Sequence, residues 1–224
     1  MTVPGRGLRS AAIALVLIAA GRGVTAQTAA SPAPTPERQV WNLSASFYGY
    51  FIPDDRDYLQ PTFTADRAAL HLEARANYEG RGVGSAWIGW NLSAGTHVVL
   101  DVTPMVGGVF GDTSGVAAGG RSALSWRALE LSSESEYVFD ASGRDHWFFY
   151  NWSELSVSPV DWFRVGLAGQ RTRAYQSDRD VQRGVVVGFS LPHVDIAGYA
   201  FNPDDARPTY VLNATINVSL PRHR

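Results

Sequence analysis

Three carboxylates at spacings of four and two residues are the most directional chemical feature of the chain. Glu130, Glu134 and Glu136 share one parity of an alternating stretch, and Leu131 and Tyr137 belong to the other. Residues of one parity share one face of a β-strand, so the three carboxylates form a row. A row of acidic groups in a confined aqueous space favours cations. With no lysine in the chain, the row predicts a lined wall rather than a packed core.

Further charged residues fall on the same predicted inward parity of other alternating segments. Arginines are present among them, but carboxylates form the majority. They allow two interpretations, a narrow hydrophilic channel or charges that pair across a plugged lumen, because confined charges must be either hydrated or paired. The residues predicted to set the field and selectivity are Glu73, Arg75, Asp101, Arg121, Glu130, Glu134, Glu136 and Arg164.

Two smaller candidate sites accompany these charges. One strand register turns Tyr150 and Trp152 inward as an aromatic platform of the kind that stacks on sugar rings, but it leaves Asn151 and Ser153 facing lipid. The other register reverses these faces. The second candidate site is a set of outward arginines near the outer rim, which either contact lipopolysaccharide phosphates through their planar forks or extend to water as ordinary rim residues. These are Arg171, Arg173 and Arg183.

The elements that position these side chains are alternating segments, of which 209–220 is the clearest. Ten to twelve such residues cross a bilayer when tilted. Long and short connections alternate along the chain, as in an up-and-down barrel, once the stretch 58–79 is split at a tight turn. The prediction is all-β, a single transmembrane antiparallel up-and-down β-barrel of twelve strands, with ten or fourteen as alternatives. The predicted strands are 40–52, 58–65, 69–79, 84–93, 97–110, 117–126, 128–139, 146–158, 162–175, 181–191, 194–202 and 209–220.

The outward aromatic residues predict two belts at the lipid–water boundaries, which a soluble sandwich or lipocalin-like barrel would not need. One belt lies near the periplasmic ends of the strands and the other near the outer ends. The first comprises Trp41, Phe63, Trp90, Trp126, Phe163 and Phe189. The second comprises Phe51, Tyr78, Phe110, Tyr137, Phe139, Trp147, Phe149 and Tyr210.

The N-terminus reads as an export signal. Arg6 and Arg9 precede an apolar stretch, and a small-x-small pattern ends at Ala26. The predicted organisation is a signal peptide (1–26), a disordered periplasmic lead-in (27–39), the barrel (40–220) and a C-terminal tail (221–224). The absence of cysteine excludes disulfides and thiol metal sites. The full chain carries a formal charge of −2, and cleavage makes it more negative, so nothing favours nucleic acid.

The stretches TPMVGGVFGDTSG, FFYNWSELSVSPVDWFR and QRTRAYQSDRDVQRG resemble a recurring porin-like group of bacterial outer-membrane barrels without an assigned activity. The resemblance implies outer-membrane lipid, lipopolysaccharide and the barrel-assembly machinery as partners, although the chain ends in Pro221 to Arg224 where such barrels often end on an aromatic residue. It brings no catalytic motif, cofactor or metal. The expected function is a narrow passive channel for small polar or cationic solutes. The alternatives are a closed structural or adhesion barrel and, more remotely, a lipid hydrolase.

Overall fold

The computed structural model describes residues 40–53, 55–174 and 180–220, and these are almost entirely β-strand. No helix among the described residues is long and apolar enough to cross a membrane. The predicted signal peptide, lead-in and tail lie outside the described residues. The strands are β1 (Trp41–Phe51), β2 (Tyr58–Arg67), β3 (Leu70–Ala76), β4 (Val83–Trp90), β5 (Leu92–Ala94), β6 (Val98–Gly111), β7 (Gly115–Trp126), β8 (Leu129–Asp140), β9 (Phe148–Val160), β10 (Phe163–Ala174), β11 (Asp180–Leu191), β12 (Val194–Phe201) and β13 (Thr209–Leu220).

The strands close into one antiparallel barrel of twelve positions. β1 pairs with β13, and β4 closes the cylinder by pairing with β6. β5 continues β4, because the register is unchanged across the interruption: Gly89 lies opposite Met105, and Leu92 lies opposite Val102. The interruption faces Pro104, which has no N–H to donate to the ladder. The predicted twelve-strand barrel is therefore confirmed.

The two ends of the barrel differ in the length of their connections. At the end that holds Trp41 and Leu220, here called the turn end, β2–β3, β7–β8 and β11–β12 join through two residues each. Ala68, Arg127 and His193 adopt positive φ of 51°, 55° and 67° in these turns, as tight hairpins require. Connections at the opposite end, here called the loop end, are longer and include a 3₁₀ helix, Arg144–His146.

The exterior of the barrel carries an apolar band with aromatic residues at both rims. Side chains in its middle, such as Ile88 and Leu167, are 50% and 61% exposed, and only a lipid environment removes such a surface from water. Aromatic residues exposed near the turn end are Phe63, Trp90, Trp126, Trp162 and Phe189. Those near the loop end are Phe51, Phe110, Tyr137, Phe139 and Tyr210. The band and the rims are those of a transmembrane barrel.

One predicted belt residue lies inside the barrel instead. β3 ends at Ala76 rather than at residue 79, and Asn77 takes a φ of 58°. The amide of Asn77 donates to Leu59 O at 2.8 Å and accepts from Gly82 N at 3.0 Å. This left-handed residue reverses the alternation of inward-facing and outward-facing side chains, so the next residue faces the lumen. The belt prediction was therefore wrong for Tyr78, which points into the lumen.

Two apolar clusters fill much of the loop half of the interior. The first packs Tyr50, Val186, Phe201 and Val211 with their neighbours on the wall formed by β10 to β13 and β1. The second, on the opposite wall, comprises Val83, Trp87, Met105, Val109, Ala117 and Val138. Trp87 fits because Gly107 faces it, where a Cβ would approach the indole ring within 2.5 Å. The loop half is thus packed, and polar residues occupy the rest of the lumen.

Candidate functional site

Arg75 and three carboxylates form a buried ion-pair cluster, here called the arginine hub. Arg75 Nε donates to Glu73 Oε1, and Arg75 Nη1 donates to Glu136 Oε2 at 2.8 Å. Arg75 Nη2 lies 2.6 Å from Glu134 Oε1. The side chains of Arg75, Glu73 and Glu136 are all 0% exposed. The strand alternation of β3 and β8 aims these groups inward, and barrel closure brings them together across the lumen.

Aromatic and sulfur atoms complete the shell of the hub. The guanidinium of Arg75 lies 4.1 Å from the ring centroid of Tyr78 and 4.8 Å from that of Trp87. Arg75 Nη2 also contacts Met105 Sδ at 3.9 Å. Cation–π contacts of this kind stabilise a desolvated cation. The hub therefore connects β3 and β8 across the lumen as a packed cluster of ion pairs.

A second arginine and a histidine extend the hub toward the turn end. Arg121 Nη2 donates to Glu73 Oε1 at 2.7 Å, and Arg121 Nε lies 3.2 Å from Glu134 Oε2. His71 contacts Asp66 through Nδ1 at 2.7 Å and Glu73 through Nε2 at 3.0 Å. The His71–Glu73 neighbour pair is thus part of a structural network. Five of the eight predicted selectivity residues meet here: Glu73, Arg75, Arg121, Glu134 and Glu136.

A cavity of about 240 Å³, here called the chamber, lies beside the hub. Tyr50, Tyr78 and Tyr150 line it together with the hydroxyl-bearing faces of β1 and β2. Tyr50 and Tyr150 are only 5% and 9% exposed, and Tyr50 stacks on Tyr58 with ring centroids 4.6 Å apart. The chamber is therefore a narrow space with an aromatic wall.

A larger cavity of about 520 Å³, here called the vestibule, extends from the edge of the first apolar cluster toward the turn end of the lumen. Asp101 and Glu130 lie on its wall and are exposed, so the vestibule meets solvent. Its arginines are Arg121 and Arg164. Its carboxylates are Asp101, Glu130, Glu134, Glu154 and Asp195. The vestibule is thus an aqueous space with an excess of acidic groups.

The arginines of the vestibule are already engaged by carboxylates. Arg164 Nε donates to Glu154 Oε1 at 3.1 Å, while Tyr199 OH donates to Glu154 Oε2 at 3.0 Å. Arg164 lies along Gly188, where a Cβ would come within 2.9 Å of the arginine side chain. Among the described residues, Asp101, Glu130 and Asp195 form no ion pair. These three carry the uncompensated negative charge.

The chamber and the vestibule share four wall residues. Tyr48, Arg121, Glu134 and Trp152 line both cavities. Glu134 and Arg121 are 20% and 32% exposed at the side chain, unlike the fully buried Arg75. A solute passing from one cavity to the other would meet an ion pair and two aromatic rings. These four residues, here called the eyelet, form the boundary between the two cavities.

β9 adopts the register that turns Tyr150 and Trp152 inward, and a cross-strand network accommodates its outward polar residues. Asn151 Nδ2 donates to Ser133 Oγ at 2.9 Å and to Ser135 Oγ at 2.8 Å. Ser153 Oγ donates to Asn151 Oδ1 at 3.1 Å. Because these polar groups satisfy one another, the lipid-facing surface tolerates them. The register of β9 with β10 shifts only between Phe163 and Val165, away from these residues.

The three rim arginines belong to the loop half of β10 and β11, and the settings of two side chains can be described. Arg171 lies over the ring of Phe149, with 5.9 Å between its Cζ and the ring centroid. Arg183 Nη2 donates to Asp204 Oδ2 at 2.5 Å, and both side chains are exposed. The side chain of Arg173 lies outside the described part of the structure. Their contact with lipopolysaccharide stays a prediction.

Some residues of the site were not among the sequence-based candidates. Tyr48 and Tyr50 share the inward parity of β1 with Ser44 and Ser46, but their aromatic character suggested no lumenal role. Asn213 was not a candidate either, because nothing in the sequence marks it out among the polar residues of its strand. The available signal was the parity of β1 and β13, which places Tyr48 opposite Asn213.

No protein-family model matches the chain, and no curated protein matches it. Among solved structures, the chain is similar to the KdgM porin, alone and in complex with disordered oligogalacturonate. Each has a TM-score of 0.55 and 7% identity over 77% of this chain and 98% of the porin. The P. putida toluene transporter TodX aligns with a TM-score of 0.35 and 8% identity over 85% of this chain and 91% of the transporter. The KdgM likeness shows a porin-like barrel fold.

Proposed function

We propose that this protein is a bacterial outer-membrane channel of narrow bore that favours small cations and neutral polar solutes. The carrying observation is the vestibule, an open aqueous space whose Asp101, Glu130 and Asp195 have no arginine partner among the described residues. Confined carboxylates raise the local concentration of cations and lower that of anions. The porin-like fold and the apolar exterior support the location, and the predicted signal peptide supplies the export route.

The charge of the vestibule bears on the class of solute. Oligogalacturonate is the compound bound to the KdgM porin, and it carries a carboxylate on each sugar. The acidic vestibule of this chain opposes such a polyanion by like-charge repulsion. We therefore place the solute of this barrel among cations and neutral polar molecules.

Planar-bilayer recording tests the channel and its charge preference. We expect discrete conductance steps from the purified full-length mature protein and a reversal potential in a KCl gradient that favours K⁺. The triple variant Asp101→Asn, Glu130→Gln, Asp195→Asn should lower the cation-to-anion permeability ratio by roughly threefold, because it removes the uncompensated charges.

A matched control removes three acidic charges from the loop end. Asp112→Asn, Asp204→Asn, Asp205→Asn alters exposed connections outside the vestibule and should leave the permeability ratio unchanged. An equal loss of selectivity in both triple variants would contradict the assignment to the vestibule.

A closed structural barrel is the second candidate, and the packed loop half favours it. Phe201, Val138 and Val211 are 0% exposed inside the lumen, and the hub braces the space between the apolar clusters. A bilayer that stays silent with correctly folded protein, shown by different migration of boiled and unboiled samples on a detergent gel, would support this candidate over the channel.

The partners of the barrel follow from its location. We propose that Arg171 and Arg183 contact lipopolysaccharide phosphates from the loop half of the outer surface, since a guanidinium binds phosphate through two parallel hydrogen bonds. Assembly by the barrel-assembly machinery belongs to the same proposal. Added lipopolysaccharide should raise the unfolding temperature of the detergent-solubilised protein, and Arg171→Gln should reduce that shift.

A further inference from the structure

Asn213 presents a buried amide group to the vestibule without using its full hydrogen-bonding capacity. The residue is 5% exposed and lies on the vestibule wall. Its Oδ1 accepts from Thr215 Oγ1 at 3.3 Å, whereas no described residue accepts a hydrogen bond from its Nδ2. Buried polar groups are nearly always paired, so an unpaired donor on a cavity wall points to an acceptor oxygen supplied by a ligand.

Three aromatic residues stand beside this amide. Tyr48 lies opposite Asn213 in the β1–β13 register, and its ring centroid is 6.2 Å from that of Trp152. The Trp152 centroid is 5.1 Å from that of Tyr199, with the two rings nearly perpendicular. All three rings line the vestibule at the edge of the first apolar cluster, and Tyr199 itself is only 5% exposed. Rings that meet edge to face form a corner of apolar surface, suited to the C–H face of a saturated ring and to an attached cation.

The charged residues around this corner favour a ligand with a positive charge. Glu154 is occupied by Arg164 and Tyr199, so it contributes little free charge. Asp195, Asp101 and Glu130 remain without an ion-pair partner among the described residues of the vestibule. A ligand that enters therefore gains from a positive group and loses from a negative one. The volume of about 520 Å³ falls in the range of small-molecule pockets, roughly 300–1,000 Å³.

We propose that the vestibule contains a binding subsite for amino sugars, formed by Asn213, Tyr48, Trp152 and Tyr199. The inference rests on the proposed channel, whose solute class it narrows. Asn213 Nδ2 donates to a ring hydroxyl or ring oxygen, the aromatic corner packs against the sugar ring, and the ammonium group faces the free carboxylates. The subsite differs from the hub, whose charged groups are already paired with one another.

Isothermal titration calorimetry with three sugars tests the subsite without requiring conductance. Glucosamine, glucose and glucuronate share a ring and differ in charge. We expect glucosamine to bind at least about fivefold more tightly than glucose, because a favourable charge contact adds to the same hydrogen bonds. Glucuronate should show no binding. Equal affinity for all three sugars, or no heat from any of them, would overturn the proposal.

Single substitutions test which residues bind glucosamine. Asn213→Leu keeps the side-chain size, removes the donor and should weaken glucosamine binding about fivefold. Trp152→Ala should weaken it about tenfold through the loss of the aromatic surface. Asn42→Leu is the matched control, because Asn42 lies on the neighbouring strand β1 outside the lining of the vestibule, and it should bind as the unaltered protein does. Undiminished binding in both Asn213→Leu and Trp152→Ala would refute the assigned subsite.

The experiment also keeps the subsite and the channel apart. If Trp152→Ala does not show the gel shift of a folded barrel, Trp152→Phe replaces it. This variant keeps an aromatic ring and should weaken glucosamine binding only about twofold to threefold. Conductance without glucosamine binding would refute the subsite and leave the channel intact. Glucosamine binding in a protein that gives a silent bilayer would support the subsite and refute the channel.

Discussion

The arginine hub and the vestibule hold the same residue types in different proportions and at different depths. In the hub, Arg75 contacts three carboxylates, and the side chains of Glu73 and Glu136 are fully buried. In the vestibule, Asp101 and Glu130 are exposed and have no ion-pair partner among the described residues. A charge that loses its hydration needs a partner, whereas a hydrated one does not. Depth in the lumen thus separates bracing charges from charges available to a solute.

The largest effect should come from removing the centre of the hub. Arg75→Met leaves Glu73 and Glu136 buried with their principal cation gone, and breaking a buried ion pair in this way typically costs about 3–5 kcal/mol. We expect a clearly lower temperature for the conversion of unboiled to boiled migration on detergent gels. The same substitution in the vestibule, Arg164→Met, is the control, because Arg164 is 25% exposed and its Glu154 partner keeps Tyr199.

A smaller loss of stability should follow Arg164→Met than Arg75→Met. Equal losses would mean that depth in the lumen does not separate the two arginines. If Arg75→Met causes no loss of stability, the carboxylates of the hub are hydrated. The hub would then be an aqueous site of the same kind as the vestibule.

Glu130 and Glu136 offer a finer comparison, since they share one face of β8. Glu136→Gln weakens a charged hydrogen bond to Arg75 and should cost about 1.5–3 kcal/mol of stability, with the permeability ratio unchanged. Glu130→Gln should change stability by less than about 0.5 kcal/mol, as is usual for exposed positions, and should lower the permeability ratio. Thermal gel shifts and bilayer recordings on both variants measure the two effects. The reverse pattern would exchange the roles of the two residues.

The barrel itself could be predicted because strand alternation and connection length are local signals. A period of two fixes which residues share a face, so Glu130, Glu134 and Glu136 were correctly placed on one side of β8. Alternation of short and long connections then gave the number of strands. Neither signal depends on knowing which distant residues meet.

The pairing inside the lumen could not be predicted, because it depends on closure. Arg75 and Glu136 are 61 positions apart and meet only across the barrel. The single left-handed residue Asn77 inverts a face within one step and carries Tyr78 into the lumen. From the sequence alone, a lipid-facing Asn151 is unfavourable, and only the structure shows that a serine of β8 accepts its hydrogen bond. Each case requires coordinates of a neighbouring strand or a backbone angle that the alternation does not encode.

The smallest effect on stability should come from an exposed ion pair that lies outside both the hub and the vestibule. Arg183 and Asp204 are 78% and 58% exposed at the side chain, and the hydrogen bond from Arg183 lowers the pKa of Asp204. A lowered carboxyl pKa contributes stability above the ordinary aspartate pKa of about 4 and loses it as the pH falls through the folded-state pKa. Because solvent screens such pairs, Asp204→Asn should leave the unfolding temperature at pH 7 unchanged within error. Any difference from the unaltered protein should shrink as acidification protonates Asp204. A marked loss at pH 7, comparable with that of Glu136→Gln, would show that exposure alone does not decide which charges brace the barrel.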